Sequence, residues 1–491
     1  MRFLKPLITL FFYSFSLIFC AFVNITKNQM ILTLLIVTLN KFKRRRAFFS
    51  RLYGQADSGG NMESKGRWYS IGSKIKVCDA IMGSGKSSAA INHINDHPEK
   101  KFIYITPYLS EAERIQKSCP AHNFQQPRND LRAYNNSKSE HFVALLNAGE
   151  NIAATHSLFR AHRIGGVSSV RKYDYTLIID ESLNVTEKFT TTPNILSDAL
   201  SLDYIRVGED GRLEVGSRKN TYGEISRIVD FVKKRHPSSD IYSEGKVKAS
   251  IYWIYDPDFI KSFSEVFVLT YMFNAQDMRY FFDTNGIEYE YIGVKFENGK
   301  REFGDYNEYI PPYVGEIKEK IHIYDHKIND IGDKKTALSS AWFKRGGDEV
   351  DQVFRNITNL YTNILKPGQR SGLMIGVFSE QKNAENLRSM LRKCVPFNER
   401  ATNKYKDKNI LAYCVNIFMD VGTKLYYTSH GAKVDEDGYA LSTMVQWIWR
   451  SAIREGHDIW LYVPSKRMRN LLIKWLDDVS KMVPAKKGED N

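Results

Sequence analysis

Short apolar runs alternate with segments of helical periodicity along most of the chain. Each run is only a few residues long and is typical of a strand, whereas the segments between them place apolar residues three or four positions apart. The first five runs lie at residues 75–80, 102–106, 152–155, 176–180 and 266–270. Short buried strands separated by helices are typical of a parallel sheet covered on both faces. The pattern therefore predicts an α/β domain over residues 62–285.

The same alternation resumes in the last third of the chain. Its elements are apolar runs at residues 371–378 and 459–463, followed by helical patterns at residues 383–394 and 465–476. They predict a second α/β domain over residues 366–491. Residues 286–365, which begin with a tyrosine-rich stretch, are predicted to connect the two domains.

Residues 184–262 exceed what such a sheet needs and are predicted to form an insertion in the first domain. The segment Gly208–Gly211 reads G-E-D-G and predicts a hairpin, and a basic helix is predicted near residues 231–236. An insertion of this kind either grips nucleic acid or a partner, or braces the fold. The pattern favours bracing.

The first 61 residues differ from the rest of the chain. Residues 6–23 are almost uninterrupted apolar sequence, residues 30–39 form a second apolar run, and residues 41–46 are strongly basic. One interpretation is a membrane anchor, with membrane association through residues 6–39. The other, which we favour, is a mis-assigned start upstream of Met62, and it predicts a cytoplasmic protein.

The net charge and the cysteine content bear on which partners and which structural sites the chain can have. The net charge is +14, of which nine Lys and Arg and one Asp in residues 1–61 contribute +8. The remaining body is mildly basic, which is compatible with a polyanionic partner. The five cysteines show no C-x-x-C spacing. This argues against a zinc ribbon or a disulfide framework and fits a reducing compartment.

The run A-I-M-G-S-G-K-S from Ala80 to Ser87 carries the strongest chemical signal. It follows a predicted strand, precedes a helix, and matches G-x-x-x-x-G-K-[ST] except that Ala80 replaces the first glycine. Backbone N–H groups of such a turn bind phosphates, the lysine reaches the β- and γ-phosphates, and the hydroxyl of Ser87 is a Mg²⁺ ligand. The predicted nucleotide contacts are Met82, Gly83, Ser84, Gly85, Lys86, Ser87 and Ser88.

Two carboxylates form the second signal. Asp180 and Glu181 follow the apolar run T-L-I-I directly. Strands often end in acidic residues without any catalytic role. Here the pair follows the phosphate loop by about ninety residues in the same alternating pattern. We therefore expect Asp180 to hold Mg²⁺ and Glu181 to orient and deprotonate the attacking water.

Weaker signals follow other strands. Thr106 and Pro107 end one predicted strand, and Thr155 and His156 end the next. Each turn offers N–H groups and a hydroxyl to a phosphodiester, although each alone is more typical of a helix N-cap. Thr270 ends the fifth strand. Because these turns follow successive predicted strands in sequence order, we expect nucleic acid to contact the residues Thr106, Pro107, Thr155 and His156.

Gln446, Arg450 and Arg454 recur every four residues and are predicted to share one face of a helix. A polar stripe of this kind can be a solvated surface. Two arginines with a glutamine also suit a γ-phosphate reached across a cleft, where arginine stabilises transition-state charge. Trp447 and Trp449 on the same stretch are predicted to pack in the core.

These motifs, in this order, resemble those of superfamily 2 DEAD/DEAH-like helicases of the type carried by phages and mobile elements. The matching segments are A-x-x-G-S-G-K-S, T-P, T-H-S, I-I-D-E-S, L-T-Y-M-F and Q-x-x-x-R-x-x-x-R. The resemblance implies two RecA-like domains in tandem, ATP and Mg²⁺ at their interface, a coupling role for Thr270, and arginine fingers at Arg450 and Arg454. Ser182 and the missing glycines of the last motif depart from the family pattern.

The implied function is an ATP-dependent nucleic-acid motor, a DNA helicase or translocase acting in replication or recombination of a phage or mobile element. Its partners would be single-stranded or forked nucleic acid, with DNA favoured over RNA, and replication proteins. One alternative is a packaging-type ATPase with a nuclease, for which Asp435–Asp437 is the acidic cluster in question. The other is a membrane-tethered, nucleotide-dependent binding protein.

Overall fold

The computed structural model describes residues 75–161, 167–235, 237–244, 247–364, 372–379, 393–398 and 404–482. The hydrophobic extension, Met62 and nearly all of the helix predicted at residues 383–394 lie outside these ranges. Among the described helices, none combines the length and the apolar character that crossing a bilayer requires.

The chain first lays down four strands of one sheet. In order, the elements are β1 (Ile75–Asp79), α1 (Lys86–Asn95), β2 (Phe102–Thr106), α2 (Leu109–Ser118), α3 (Lys138–Ala148), β3 (Ile152–Thr155), α4 (His156–Ala161), α5 (Val167–Lys172) and β4 (Thr176–Asp180). Alternate residues of β1 enter opposite cores: Ile75 and Val77 pack on one face of the sheet, and Cys78 packs on the other. A strand buried on both faces explains why these runs are apolar throughout.

The predicted insertion folds into strands and helices of its own. Its elements are β5 (Thr186–Thr191), α6 (Pro193–Ser201), β6 (Ile205–Val207), β7 (Leu213–Val215), α7 (Gly223–Arg235), β8 (Ile241–Glu244), β9 (Lys248–Ile254) and α8 (Pro257–Ile260). β6 and β7 are the hairpin predicted around Gly208, and α7 is the predicted basic helix. β5, β9 and β8 form an antiparallel sheet.

The chain then returns to the first sheet with β10 (Glu265–Thr270), α9 (Asp277–Thr284), β11 (Tyr289–Glu297) and β12 (Lys300–Gly304). The sheet order is β12-β11-β1-β10-β4-β2-β3, and only the pairing of β12 with β11 is antiparallel. Strand β10 therefore lies between the strand of the phosphate loop and the strand of the acidic pair. Because the other strands are parallel, their carboxyl ends meet at one edge.

The second sheet lies in the last part of the chain. The elements are α10 (Ile317–Lys320), β13 (Ile321–Ile323), α11 (Ser340–Arg345), α12 (Asp348–Asn359), β14 (Leu373–Val377), β15 (Cys394–Pro396), β16 (Ile410–Tyr413), α13 (Val421–Ser429), α14 (Glu436–Ile448), β17 (Ile459–Tyr462) and α15 (Lys466–Val479). All its strands are parallel, in the order β13-β17-β16-β14-β15. The predicted fold class, two RecA-like α/β domains in tandem with an insertion in the first, is confirmed.

The insertion contacts the second half of the chain directly. The ring of Tyr252 in β9 stacks on that of Tyr426 in α13 at 5.0 Å between centroids. Lys188 Nζ in β5 lies 2.5 Å from Asp420 Oδ1, just before α13. The insertion is therefore packed against both halves and is not an isolated appendage.

Candidate nucleotide site

The phosphate loop runs from the end of β1 to the first turn of α1. Gly83 and Gly85 adopt positive φ angles of 79° and 92°, a backbone conformation that favours glycine. Gly85 is the N-cap of α1, and no side chain caps the helix. The first N–H groups of α1 and the positive end of its dipole are therefore available to an anion.

Lys86, the first residue of α1, folds back over the loop. Its Nζ donates to the carbonyl oxygens of Ala80 at 2.6 Å and Ile81 at 3.1 Å. Burial lowers the pKa of the Lys86 ammonium, and nearby negative groups, including Glu181, oppose this shift. The ammonium is thus held next to the loop, at the position from which a P-loop lysine contacts phosphates.

Ser87 and Asp180, the two predicted Mg²⁺ ligands, are in contact. Ser87 Oγ lies 3.2 Å from Oδ1 and 3.1 Å from Oδ2 of Asp180, and the Tyr104 hydroxyl donates to Oδ2 at 2.9 Å. Burial, together with the neighbouring Glu181, raises the pKa of Asp180 from 3.8 to about 6. One hydroxyl and one carboxylate are hard oxygen donors of the kind that Mg²⁺ accepts alongside substrate phosphates. The residues present fit that ion.

Glu181 lies on a strained turn. Its φ is +66°, which costs roughly 1–2 kcal/mol for a residue with a Cβ. Two hydrogen bonds hold the turn: Glu181 N–H donates to Leu269 O at 2.9 Å, and His156 Nε2 lies 2.9 Å from Asp180 O. The side chain consequently lines the cleft beside the phosphate loop.

Asp79 was not predicted from the sequence as a residue of this site, yet it holds a loop next to it. It is buried at the end of β1, and its Oδ1 and Oδ2 accept from the N–H groups of Met272 at 2.7 Å and Phe273 at 3.0 Å. Burial raises the pKa of Asp79, and these two hydrogen bonds oppose the shift. The signal was available, since Asp79 ends a buried strand just as Asp180 does.

Thr270 lies between the phosphate loop and the loop that Asp79 holds. Its carbonyl accepts from Ala80 N–H at 3.1 Å, and its Oγ1 donates to Gln276 Oε1 at 2.9 Å. The next residue, Tyr271, accepts at its hydroxyl from Trp475 Nε1 of α15 at 2.8 Å. Thr270 is therefore one residue away from a contact with the second half.

A cleft of about 420 Å³ brings most of the predicted residues together. Its first-half wall includes Met82, Gly83, Gly85, Lys86, Ser87, Ser88, Asp180, Glu181 and Thr270. Its second-half wall consists of Gln446, Trp449, Arg450 and Arg454. Ser84 of the loop is fully buried.

The helix predicted to carry the arginines is shorter than expected. α14 ends at Ile448, and a separate 3₁₀ turn covers Ala452–Glu455. The helix ends there because Ser451 Oγ donates to Ile448 O at 2.7 Å and Ala452 N–H donates outside the helix, to Lys408 O at 2.8 Å. The prediction of a single helix was wrong, yet the three polar side chains still line one cleft.

Trp449 and Tyr313 are the other residues that sequence reasoning missed. Trp447 is buried in the core as predicted, and Trp449 is partly buried against the same core but also contacts the phosphate loop. A Cβ added at Gly83 would lie 2.8 Å from Trp449 Cζ2. The rings of Trp449 and Tyr313 are 4.7 Å apart, and the Tyr313 hydroxyl donates to the Met82 carbonyl. Two aromatic rings from beyond the first sheet thus pack on the loop.

The two pairs predicted to contact nucleic acid are separated in the structure. Thr106 and Pro107 line the nucleotide cleft, whereas Thr155 and His156 do not. Thr155 Oγ1 accepts from Leu158 N–H at 3.4 Å, so it caps α4. His156 contacts the carbonyl that precedes Glu181.

Replacing Gly83 with alanine should destabilise the protein more than replacing Gly211, because both have positive φ but only Gly83 faces Trp449. Gly211→Ala meets nothing within 4 Å and should cost about 1 kcal/mol of unfolding free energy. Gly83→Ala should cost about 1–3 kcal/mol more. Urea unfolding measures both values, and equal costs would show that the Trp449 contact is not close.

The raised pKa of Asp180 predicts a pH-dependent stability. The folded protein binds this proton more tightly than the unfolded chain, so the carboxyl's contribution to stability is lost as pH rises from 3.8 to about 6. Asp180→Asn should therefore be about 1–3 kcal/mol more stable than wild type above that window and equal to it below. Thermal unfolding against pH measures this. The exposed control Asp333→Asn should show the same dependence of stability on pH as wild type. If Asp180→Asn also shows the wild-type dependence, the raised pKa of Asp180 is contradicted.

The chain is similar in sequence to a known family over part of its length and to a curated protein over most of its length. A family model described as the YonV C-terminal Rossmann-like domain matches residues 315–476. The SPbeta prophage-derived protein YonV of Bacillus subtilis (strain 168) is 33% identical over 414 residues, which cover 82% of this chain and 99% of that protein.

The similarity to solved structures is remote. Xpd4 of S. tokodaii aligns over 82% of this chain and 94% of its own, with 13% identity and a TM-score of 0.37. The DUF1998 helicase MrfA bound to DNA and AMPPNP aligns over 84% of this chain and 49% of its own, with 11% identity and a TM-score of 0.31. The identity to YonV, in contrast, extends along nearly the whole of that protein. The chain therefore belongs to the YonV family.

Proposed function

We propose that this chain is an ATP-dependent nucleic-acid motor of the superfamily 2 helicase type. The observation that carries the proposal is the composition of the 420 Å³ cleft. One wall provides the phosphate loop and the acidic pair, and the other provides two arginines and a glutamine. A site completed by both halves of the chain can convert hydrolysis into movement between them.

The first half would bind the phosphates and orient water. The loop N–H groups and Lys86 would hold the β- and γ-phosphates, and Ser87 with Asp180 would hold Mg²⁺. When bound, the ion would neutralise charge on the phosphate oxygens. Glu181, fixed on its strained turn, would orient the attacking water and accept its proton.

The second half would stabilise the transition state. Arg450 is 8% exposed and lies in the cleft with the more exposed Arg454. A guanidinium in such a low-dielectric site stabilises the charge that develops on the transferred phosphoryl group. Gln446 would help to position the γ-phosphate. Thr270 would couple the loop to the second half through Tyr271 and Trp475.

The proposed domains are built around residues 62–285 and 366–491. Residues 286–365 do more than connect them, because β11 and β12 belong to the first sheet and β13 belongs to the second. Single-stranded or forked DNA is the favoured partner, in agreement with the prophage origin of the relative. The nuclease alternative is weaker, because its acidic residues have structural partners. Asp435 caps α14 by accepting from Gly438 N–H at 2.8 Å, and Asp437 pairs with Arg467 at 2.6 Å.

Nucleic-acid-stimulated ATP hydrolysis by the full chain tests this proposal. We expect hydrolysis that single-stranded DNA accelerates more than RNA of the same sequence does. Lys86→Ala and Glu181→Gln should each reduce the rate about 100-fold or more, since each removes a group that acts on the reacting phosphate or water.

The exposed Lys219→Ala serves as the control and should hydrolyse ATP at the wild-type rate. Hydrolysis that no nucleic acid alters would contradict the motor assignment. Hydrolysis that survives both Lys86→Ala and Glu181→Gln would contradict the site itself.

A further inference from the structure

Helix α7 of the insertion presents arginines to the sheet beside it. Arg227, Phe231 and Arg235 lie four residues apart on one face of α7. Phe231 packs against Phe189 of β5 at 5.5 Å between ring centroids, and the Arg227 guanidinium lies 5.8 Å from the same Phe189 ring. Arg235, the last residue of α7, reaches past the sheet to α4. The packing of α7 therefore fixes where the Arg235 guanidinium lies.

Arg235 and Arg160 meet around one carboxylate. Arg235 Nη1 donates to the carbonyl of Arg160 at 2.9 Å, and its Nη2 lies 2.6 Å from Glu187 Oε2. Arg160 Nη2 lies 3.4 Å from that same oxygen. Both guanidinium groups also lie over the ring of Trp253, at 4.6 Å for Arg235 and 5.4 Å for Arg160. One carboxylate therefore serves two guanidinium groups.

The guanidinium groups of Arg160 and Arg235 share the Glu187 carboxylate as an ion-pair partner, and their side chains are only 18% and 10% exposed. Asp277 contributes a further negative charge near Arg160. The Nε atom of each is buried without a hydrogen-bond partner. Burial and the like charge of Arg235 lower the pKa of Arg160, although Glu187 opposes this. Buried charges of this kind are stabilised by a further anion.

Access to the cluster runs along Glu187. Its side chain is 34% exposed, more than either arginine. Lys234, next to Arg235 in the sequence, is exposed and adds to the positive potential of this part of the surface. A planar guanidinium pairs with two oxygens of a phosphate as well as with a carboxylate. A phosphodiester that reached this point could replace the Glu187 carboxylate as the shared anion.

We propose that Arg160 and Arg235 bind a phosphodiester of single-stranded nucleic acid, and that Glu187 occupies this site until nucleic acid displaces it. The proposal rests on the proposed motor function and adds a contact that the insertion supplies. The insertion then does more than brace the fold.

Helix α4 connects the Arg160–Arg235 site to the acidic pair Asp180 and Glu181. Arg160 belongs to α4, which begins at His156. His156 Nε2 contacts the carbonyl of Asp180, directly before the strained Glu181. An anion bound by Arg160 therefore acts on the same short helix that holds the turn of the proposed catalytic carboxylate.

Two substitutions in the full chain, one removing the carboxylate and one removing a guanidinium group, test the proposal. Fluorescence anisotropy of a fluorescein-labelled oligothymidylate measures the affinity of each variant for single-stranded nucleic acid. Glu187→Gln should bind the oligonucleotide about tenfold more tightly, because it frees two guanidinium groups. Arg235→Gln should bind it about tenfold more weakly, and the slope of log affinity against log salt should fall by about one. A purely structural cluster predicts no gain from Glu187→Gln.

The exposed pair Arg206 and Glu214, 3.6 Å apart in the same insertion, supplies matched controls. Arg206→Gln and Glu214→Gln make the same changes in net charge and should alter affinity less than twofold. Glu187→Gln that binds no more tightly than Glu214→Gln would overturn the proposal. Should Arg235→Gln fail to fold in thermal unfolding, Glu187→Gln still decides.

The result also separates this proposal from the motor function. Wild-type protein that neither binds the oligonucleotide nor hydrolyses ATP faster in its presence would overturn both. Stimulated hydrolysis together with unchanged affinity in the Glu187 and Arg235 variants would overturn only the site on the insertion.

Discussion

Parallel pairing of β2, β4, β10 and β1 is the constraint on which the site depends. Because these strands run in one direction, the residues that end them share one edge of the sheet. Asp79, Asp180 and Thr270 come together there, although up to 191 positions separate the paired β1 and β10 ends. The carboxylates of Asp79 and Asp180 are partly desolvated, and each is held by hydrogen bonds, from the Met272 N–H group to Asp79 and from the Ser87 hydroxyl to Asp180. The strained turn at Glu181 is held by the Leu269 carbonyl of β10 and by His156 of α4.

Side chains of the second half of the chain contact residues at this edge of the first sheet. Trp449 packs on Gly83, and Trp475 donates to Tyr271. The insertion adds the stacking of Tyr252 on Tyr426 on another side of the interface. Any opening of the cleft must alter these contacts. In the proposed motor, nucleotide binding would therefore be linked to the relative position of the two halves through side-chain packing as well as through the arginines.

The sequence allowed much of the first sheet to be predicted, because strands buried on both faces are continuous apolar runs. The predicted bounds of β2, β3 and β4 agree with the structure. β11 escaped prediction because its tyrosines and charged residues are only partly buried. The partners of Asp79 and the Trp449 contact require tertiary structure. The prediction of a single helix through Arg454 failed because hydrogen bonds from the Ser451 hydroxyl and to the distant Lys408 carbonyl end the helix early.

If both halves complete one nucleotide site, the arginines of the second half must act on ATP bound to the first. Single-turnover ATP hydrolysis by Arg450→Gln and Arg454→Gln beside wild type, with ATP affinity measured in parallel, tests this directly. We expect at least one variant to hydrolyse ATP about 100-fold more slowly while binding it with nearly wild-type affinity, since the arginines act on the transition state. Wild-type hydrolysis in both folded variants would contradict it.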